Sequence, residues 1–308
     1  MRAYGTPRIS PDGTRVAAEI YDETADIWIW DFARETLRRL TFHSPGGAGM
    51  GAGMSVWTPD SRQIIFEARP TGMPSVYKQA ADGTGTVDRL STSTTPQWST
   101  SITPDGKWLS GFEQVPRSAS NIFFLPLTRT VVRPGSNSAP LDQARGKPGV
   151  SQSPVEPLAE IRFKGNMADF SPTGRYFAYQ SEESGRSEIY VRPFPRVDNG
   201  RWQVSTAGGT RPVWARSGRE LFYLDASNTL TVVPVSTSGS TISIGIPAKL
   251  FDAKYAEPNP SRHYDVSADG QRFLMLKAGA TDDPNTTPVV MVLVEHWFEE
   301  LKQRMNGK

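Results

Sequence analysis

Three features of the sequence predict an all-β fold, a six-bladed β-propeller. First, a four-residue turn, Ser10-Pro11-Asp12-Gly13, recurs five more times in related form. The other copies begin at Thr58, Thr103, Ser171, Ala215 and Ser267. Proline sets φ near about −65°, aspartate bonds to its own backbone, and glycine accepts the positive φ that ends the turn. Such turns join antiparallel strands, so the six copies indicate six hairpins.

Second, apolar residues keep fixed positions around every turn. The residue before each turn is Ile9, Trp57, Ile102, Phe170, Trp214 or Val266. After each turn an apolar or small side chain returns with a period of two, which indicates a strand. A third strand follows in every unit, and a fourth in all units but the last. Third, the units recur at roughly 44 to 52 residues with one longer gap, a spacing typical of propeller blades.

The repeats divide one domain, residues 1–308, into six predicted blades. They cover about 5–42, 54–93, 96–163, 166–206, 210–253 and 263–294. Residues 128–154 are rich in Pro, Gly and Ser without periodicity, which predicts a loop excursion inside the third blade. Trp297, Leu301 and Met305 recur every four residues and predict a short C-terminal helix at about 295–305. The last blade is therefore expected to lack its outer strand, as in a fragment whose ring is incompletely sealed.

The turns and the starts of the third strands carry a resemblance to a known family. Asp26-Ile27-Trp28 returns as Asn121-Ile122-Phe123 and Glu188-Ile189-Tyr190. With the Ser-Pro-Asp-Gly turns, these motifs resemble TolB-like six-bladed β-propellers with WD-repeat-like blades, over the whole chain. From residue 165 onward, and above all in residues 186–195 and in Trp214-Ala215-Arg216, the chain resembles the propeller that follows the kinase domain in bacterial serine/threonine kinase-like proteins. This narrower resemblance implies a sensor or interaction role.

Composition excludes several function classes. The chain has 34 basic and 32 acidic residues, so no basic excess favours nucleic acid or a membrane surface. No apolar run approaches the roughly 18 residues that span a bilayer. The absence of cysteine excludes disulfides and thiol chemistry without identifying a compartment. Residues 1–5 lead directly into the first blade, so no signal peptide is expected; the sequence leaves the compartment open, and an extracytoplasmic location would require an upstream anchor.

Motifs for catalysis are missing from the sequence, which predicts that the chain is not an enzyme. There is no Gly-x-Ser-x-Gly nucleophile elbow and no kinase motif. The glycines of residues 44–53 lack the spacing of a phosphate-binding loop, so no cofactor is expected. His43 and His263, with Asp265 close to the latter, leave a metal or acid/base site open as an alternative. Calcium binding by Asp22, Glu23 and Asp26 is also conceivable, although a solvated hairpin end is favoured.

The predicted binding face is the one opposite the tight turns. It receives the loops between second and third strands and the connections between blades, which are longer and more irregular. The candidates there are His43, Arg69, Arg186, Arg211, Arg262 and His263. They suit an acidic partner, or they only keep the loops soluble. Five tryptophans, by contrast, are expected to pack within and between blades: Trp57, Trp98, Trp108, Trp202 and Trp214.

Three functional hypotheses follow from these observations. The first is a non-catalytic scaffold that binds a protein or peptide, as the interaction part of a larger bacterial signalling protein. The second is a metal-dependent lyase or hydrolase that works at the channel mouth. The third is a periplasmic envelope scaffold of the TolB kind.

Overall fold

The protein is built from β-strands joined by turns and loops. The computed structural model describes residues 3–21, 25–42, 53–69, 73–114, 120–127, 165–238, 241–252, 262–278 and 289–295. In these ranges it contains 23 strands in six antiparallel sheets, and no helix. The predicted all-β fold is therefore confirmed for the described part of the chain.

Sheets 1 to 3 take their strands in chain order, so each is an antiparallel meander. Sheet 1 consists of β1 (Ala3–Ile9), β2 (Arg15–Tyr21), β3 (Ala25–Asp31) and β4 (Thr36–Arg39). Sheet 2 consists of β5 (Gly53–Trp57), β6 (Gln63–Ala68), β7 (Ser75–Ala80) and β8 (Asp88–Arg89). Sheet 3 consists of β9 (Gln97–Ile102), β10 (Trp108–Gln114) and β11 (Ser120–Pro126).

Sheets 4 to 6 repeat this plan with one addition. Sheet 4 consists of β12 (Gly165–Phe170), β13 (Tyr176–Ser181), β14 (Glu188–Pro193) and β15 (Trp202–Gln203). Sheet 5 consists of β16 (Thr210–Trp214), β17 (Glu220–Leu224), β18 (Thr229–Ser238), β19 (Thr241–Ile244) and β20 (Ala248–Asp252). Sheet 6 consists of β21 (Tyr264–Val266), β22 (Arg272–Ala278) and β23 (Val289–Glu295). Sheet 5 has one strand more than predicted, because the long β18 pairs with β20 along its first half and with β19 along its second.

A tight turn joins the first and second strands of every sheet, as the sequence predicts. In each turn the backbone N–H of the fourth residue donates to the carbonyl oxygen of the first, at 2.8 to 2.9 Å. The fourth residues are Gly13, Ser61, Gly106, Gly174, Gly218 and Gly270, with φ between +59° and +72°. This left-handed region strains L side chains, which explains why glycine holds the position in all turns but one.

A hydroxyl group ties the start of the third strand to the end of the fourth in three sheets. The backbone N–H groups of Ile27, Val76 and Ile189 donate to the hydroxyls of Thr41, Ser91 and Ser205, at 2.9 to 3.0 Å. In sheet 1 the adjacent Asp26 accepts from Thr41 Oγ1 at 2.8 Å and from Arg39 Nη2 at 2.5 Å. Asp26 is only 1% exposed, so the expectation of a solvated hairpin end is wrong for this residue. Asp22 and Glu23 lie outside the described residues.

Buried apolar side chains pack each sheet against the next. Two members of each shared cluster, one from each sheet, mark each junction: Ile29 and Trp57, Ile65 and Leu109, Phe124 and Phe170, Val191 and Trp214, Phe222 and Phe273, and Ile9 and Leu274. The last pair joins sheet 6 back to sheet 1. The packing therefore runs through the six sheets in order and returns to the first.

The tryptophans pack as predicted. Trp57 and Trp214 are 5% and 4% exposed and belong to the clusters between sheets. Trp98 stacks on Phe112, Trp108 meets Phe194 edge-on, and Trp202 meets Tyr176 edge-on.

Several predicted features lie outside the described residues. They are the excursion at 128–154, the fourth strand of the third blade and the C-terminal helix beyond residue 295. Glu295 itself ends β23, so the helix does not begin there as expected. Whether an outer strand covers β23 stays a prediction.

Candidate functional site

The first strands of all six sheets surround a central cavity of about 120 Å³. The cavity lies at the end of these strands that carries the tight turns. Its lining includes the second residue of five turns: Pro11, Pro59, Pro104, Pro172 and Arg216. The described cavity is therefore at the opposite end of the strands from the loops on which the sequence predicts the binding face.

One position in each first strand contributes to this cavity, namely the residue two before the turn, here called the inner position. The inner residues are Arg8, Val56, Ser101, Asp169, Val213 and Asp265. Three of them accept a hydrogen bond from the backbone of the next sheet. The bonds run from Phe170 N to Ser101 Oγ (3.1 Å), from Trp214 N to Asp169 Oδ2 (2.8 Å) and from Ile9 N to Asp265 Oδ2 (2.8 Å). These side chains thus join neighbouring sheets.

Arg262 lies inside the cavity rather than on an exposed face. It is 8% exposed, and its Nη1 donates to Asp169 Oδ1 at 3.2 Å. Its Nη2 lies 3.7 Å from Asp265 Oδ1. Burial lowers the pKa of Arg262, but the attraction of Asp169 and Asp265 outweighs burial and raises that pKa above its usual value. The expectation of an exposed residue is wrong because the two buried carboxylates draw the guanidinium inward.

Arg8 is the second buried guanidinium of the cavity, at 7% exposure. Its Nη1 donates to the carbonyl oxygens of Pro7 (2.9 Å) and Arg262 (3.3 Å). Its Nε has no hydrogen-bond partner among the described residues. Within the same residues, Arg8 forms no salt bridge, since Asp169 and Asp265 pair with Arg262. Burial and the neighbouring Arg262 lower the pKa of Arg8 to about 9, against the attraction of Asp265 and Asp169. The group is still charged at neutral pH.

Two buried carboxylates, Glu19 and Glu67, lie farther from the turns. A Cβ built on Gly53 would lie 2.6 Å from Glu19 Oε1 and 3.3 Å from Glu67 Oε1, so the two carboxylates flank the same glycine. Burial raises the pKa of Glu67 to about 7; Arg69 lowers it, and Glu19 adds to the increase. Burial also raises the pKa of Glu19, although Tyr21 and Thr6 donate hydrogen bonds to it. The pair therefore retains protons at a higher pH than exposed carboxylates do.

The other predicted candidates do not meet at one site. His43 lies outside the described residues, so its convergence with His263 and Asp265 stays untested. His263 is 1% exposed, which corrects the expectation of an exposed residue, and its carbonyl oxygen accepts from Leu276 N at 3.0 Å. His263 directly precedes β21, and its bond from Leu276 N continues the pairing of β21 with β22, which holds this residue in the sheet.

The three remaining arginines each have a local partner. Arg69 Nη2 lies 3.5 Å from Glu67 Oε1. The side chain of Arg186 is 60% exposed, and its Nε donates to the buried Glu188 at 2.6 Å. Arg211 is half-buried, and its carbonyl oxygen accepts from Tyr264 Oη at 2.6 Å. Of these three, Arg186 is the most accessible to a partner.

Neither a metal cluster nor a membrane span is found in the part of the chain that the structure describes. There, no group of three or more His, Asp or Glu residues is arranged to hold a metal ion. Within the same ranges, no helix has the length and apolarity needed to cross a membrane.

Sequence reasoning missed the residues of the cavity. Arg8, Asp169, Glu19 and Glu67 were not singled out, although a signal was present. Aligned on their turns, the repeats place charged residues at the inner position of three units, where the others carry Val or Ser. A charged residue at a repeat position that is apolar or small in the other units indicates a buried site shared by the repeats, and not a solvated loop.

Comparisons with known proteins agree on the fold. No protein-family model matches the chain. TolB from Acinetobacter baumannii is similar over 96% of this chain, with 16% identity and a TM-score of 0.57, and the chain spans 61% of that TolB. The β-propeller domain of Cps50 (Swd1) from Myceliophteria thermophila is similar over 95% of this chain and 87% of its own, with 14% identity and a TM-score of 0.55.

An enzyme has the same fold. An oligogalacturonate lyase in complex with manganese matches 96% of this chain and 89% of its own, with 14% identity and a TM-score of 0.53. At such identities the similarity shows the fold alone. The protein has the fold of TolB-like β-propellers, and this fold is compatible with catalysis and with binding alike.

Proposed function

We propose that the six sheets are the six blades of a propeller, and that this propeller binds a protein or peptide without catalysing a reaction. The observation that carries the proposal is how the polar groups of the cavity are used. Asp169 and Asp265 each accept a backbone N–H from the next sheet and face Arg262. A general base must exchange protons freely, whereas these carboxylates would leave buried donors unpaired if they did so.

The rim of the cavity supports recognition. Four turn prolines and Arg216 surround a narrow mouth, and Trp57 and Trp214 line the wall. Rigid apolar rings with a few polar groups are typical of sites that bind a peptide segment. We further propose that the chain is the interaction part of a larger bacterial signalling protein, in line with the kinase-associated resemblance of residues 165 onward. A TolB-like envelope scaffold is the variant of this proposal with another partner and compartment.

A metal-dependent lyase or hydrolase is the competing proposal. The fold similarity to the manganese-bound lyase is the observation in its favour, and His43, His263 and Asp265 are the residues that would have to serve it. The burial of His263 speaks against an open metal site at that residue.

The first experiment tests binding against catalysis. Peptides are selected from a random phage-displayed library on the purified chain, and their affinity is measured by fluorescence anisotropy. We expect saturable binding that competes with excess unlabelled peptide. In parallel, the same preparation is assayed for autophosphorylation, for labelling by serine-hydrolase probes and for Mn²⁺-dependent cleavage of oligogalacturonate.

The expected result of these assays is no turnover. Activity that tracks the purified chain and disappears on substitution of His263 would favour the lyase or hydrolase instead. Failure to enrich any peptide would contradict the binding proposal.

A further inference from the structure

The inner position of the first blade breaks the pattern of the others. The other five inner residues are aliphatic or hydrogen-bond acceptors, whereas Arg8 is a cation. Arg8 is also more than nine-tenths buried and lines the cavity. Burial and the neighbouring Arg262 disfavour this charge, and Asp265 and Asp169 offset them only in part, so the site favours a further anion.

The hydrogen bonds of Arg8 leave much of the guanidinium unused. A guanidinium offers donors on Nε, Nη1 and Nη2. In Arg8 only Nη1 has partners among the described residues, and both are neutral carbonyl oxygens. Buried polar atoms are nearly always hydrogen-bonded, so the buried and unpartnered Nε of Arg8, beside a cavity, indicates a place for an acceptor.

The nearby carboxylates do not fill this place. Asp169 is held by Trp214 N and Arg262, and Asp265 by Ile9 N and Arg262. Neither forms a salt bridge with Arg8, and moving either toward Arg8 would break a backbone hydrogen bond between sheets. Arg262 thus neutralises the two aspartates in part. Asp265, Asp169 and Glu19 attract Arg8 through space, but none of these three forms a salt bridge with it in the described part of the chain.

The mouth of the cavity carries a second departure from the repeat. The second residue of the turn is proline in four copies, but the fifth turn carries Arg216, which is exposed and lines the cavity. Arg216 at the mouth therefore lies along the same opening as the inner arginine Arg8, whereas Arg262, the third arginine of the lining, is already held by Asp169 and Asp265. Such an arrangement attracts an anion from solvent and desolvates it at the inner arginine.

We propose that the central cavity binds a single carboxylate group, held by Arg8 inside and attracted by Arg216 at the mouth. A carboxylate matches the planar guanidinium and can accept two parallel hydrogen bonds. A phosphate fits less well, because it carries more negative charge than a carboxylate and Asp169 and Asp265 therefore repel it more strongly. The carboxylate is that of a peptide C-terminus or of a small apolar acid, and the inference deepens the proposed binding function.

The test is a titration of the full chain, followed by intrinsic fluorescence and calorimetry. Trp57 and Trp214 line the cavity, so occupancy should change their emission. The probes are a short apolar peptide with a free C-terminus, its C-terminally amidated twin, benzoate and inorganic phosphate. We expect the free peptide or benzoate to bind, and the amidated peptide and phosphate to bind at least about tenfold more weakly.

Three variants assign the effect to residues. Arg8→Gln should lower the affinity for the carboxylate at least about 30-fold, since it removes the buried charge partner. Arg216→Glu reverses the charge at the mouth and should lower the affinity at least about fivefold. Arg219→Ala is the matched control, because Arg219 is an exposed arginine beside the same turn that lies outside the cavity lining; it should leave the affinity unchanged.

Each outcome decides the matter. Equal binding of free and amidated peptide, tighter binding of phosphate, or insensitivity to Arg216→Glu would overturn the carboxylate site. If Arg8→Gln does not fold, Arg216→Glu and the amidated peptide still decide, since neither disturbs the core. Binding of benzoate alone would support the carboxylate site while the peptide proposal fails. Binding of selected peptides regardless of their C-terminus would support the peptide proposal, while the carboxylate site fails.

Discussion

At the scale of single residues, buried carboxylates serve two purposes in this protein. Asp26, Asp169 and Asp265 each accept hydrogen bonds that join one strand or sheet to the next. Glu19 and Glu67 instead flank Gly53, and burial raises the pKa of both. The first kind should stabilise the fold, whereas the second kind should make its stability depend on pH.

Asp26 provides a test of the first purpose. Asp26→Ala removes the acceptor of Thr41 Oγ1 and of Arg39 Nη2, which lies in a 2.5 Å ion pair with it. We expect the free energy of unfolding to fall by about 2 to 4 kcal/mol, measured by urea denaturation. Asp31→Ala is the control, because Asp31 pairs with an Arg34 side chain that is 78% exposed. That control should lose clearly less stability than Asp26→Ala, and an equal loss in both variants would contradict the role of Asp26.

Glu67 provides a test of the second purpose. Burial raises its pKa in the folded state from 4.5 to about 7, so the folded chain binds more protons than the unfolded chain between these values. The free energy of unfolding should therefore fall as pH rises through this range. Glu67→Gln should flatten the profile and, at about pH 8, be more stable than the natural chain by roughly 1 to 3 kcal/mol.

The same urea series over pH checks this prediction. A residual slope from Glu19 is expected in the variant. Glu35→Gln, at an exposed turn, serves as the control and should leave the profile unchanged. A variant less stable than the natural chain at about pH 8 would show that the ion pair with Arg69 outweighs the burial of Glu67.

At the scale of elements, the first strands combine regular pairing with a recurring bulge. Thr6, Met54, Met167 and Arg211 stand four residues before their turns and have positive φ, between +37° and +56°. The pairing of these strands skips at the same place. A bulge bends the strand and changes which side chains face which side. The bulge therefore helps to decide on which side of the strand the inner residue lies, because that residue follows the bulge in the chain.

The third strands of sheets 4 and 6 differ in how their backbones are paired. β14 pairs with β13 on one edge and with β15 on the other, whereas β23 pairs only with β22 among the described residues. Amides at an unpaired strand edge exchange with solvent more readily. We expect hydrogen exchange, read by mass spectrometry, to be faster in Val289–Glu295 than in Glu188–Pro193. Equal protection would show that another segment covers the edge of β23.

At the scale of the whole molecule, the sheets are joined in a cycle by both apolar and polar contacts. The cluster that contains Ile9 and Leu274 joins sheet 6 to sheet 1, and the bond from Ile9 N to Asp265 Oδ2 does so beside the cavity. Arg262 adds a link between sheets 4 and 6 through Asp169. Contacts between non-adjacent sheets in the centre mean that the cavity is also part of what holds the molecule together. Ligand binding in the cavity and the stability of the whole protein are therefore coupled.

The sequence by itself determined the repeat unit. Turns, strand order and the apolar columns depend on neighbouring residues, since proline, aspartate and glycine act within four residues and alternation acts within one strand. For this reason the six hairpins and the packing of the five tryptophans were predictable. Of the two strands that pair with the outer edge of β18, only β20 was predictable. β19 was not, because it pairs with the part of β18 that extends beyond the repeat pattern.

Only the tertiary structure decided which polar residues meet. Arg262 was expected on an exposed face, yet it lies between Asp169 and Asp265, which are 93 and 3 residues away along the chain. No local pattern encodes such a meeting, because it depends on the curvature of the packed sheets and on bulges that alter strand facing. The local physics of the chain thus specifies the antiparallel sheets, while the chemistry of the cavity arises from bringing the first strands of different sheets to one centre.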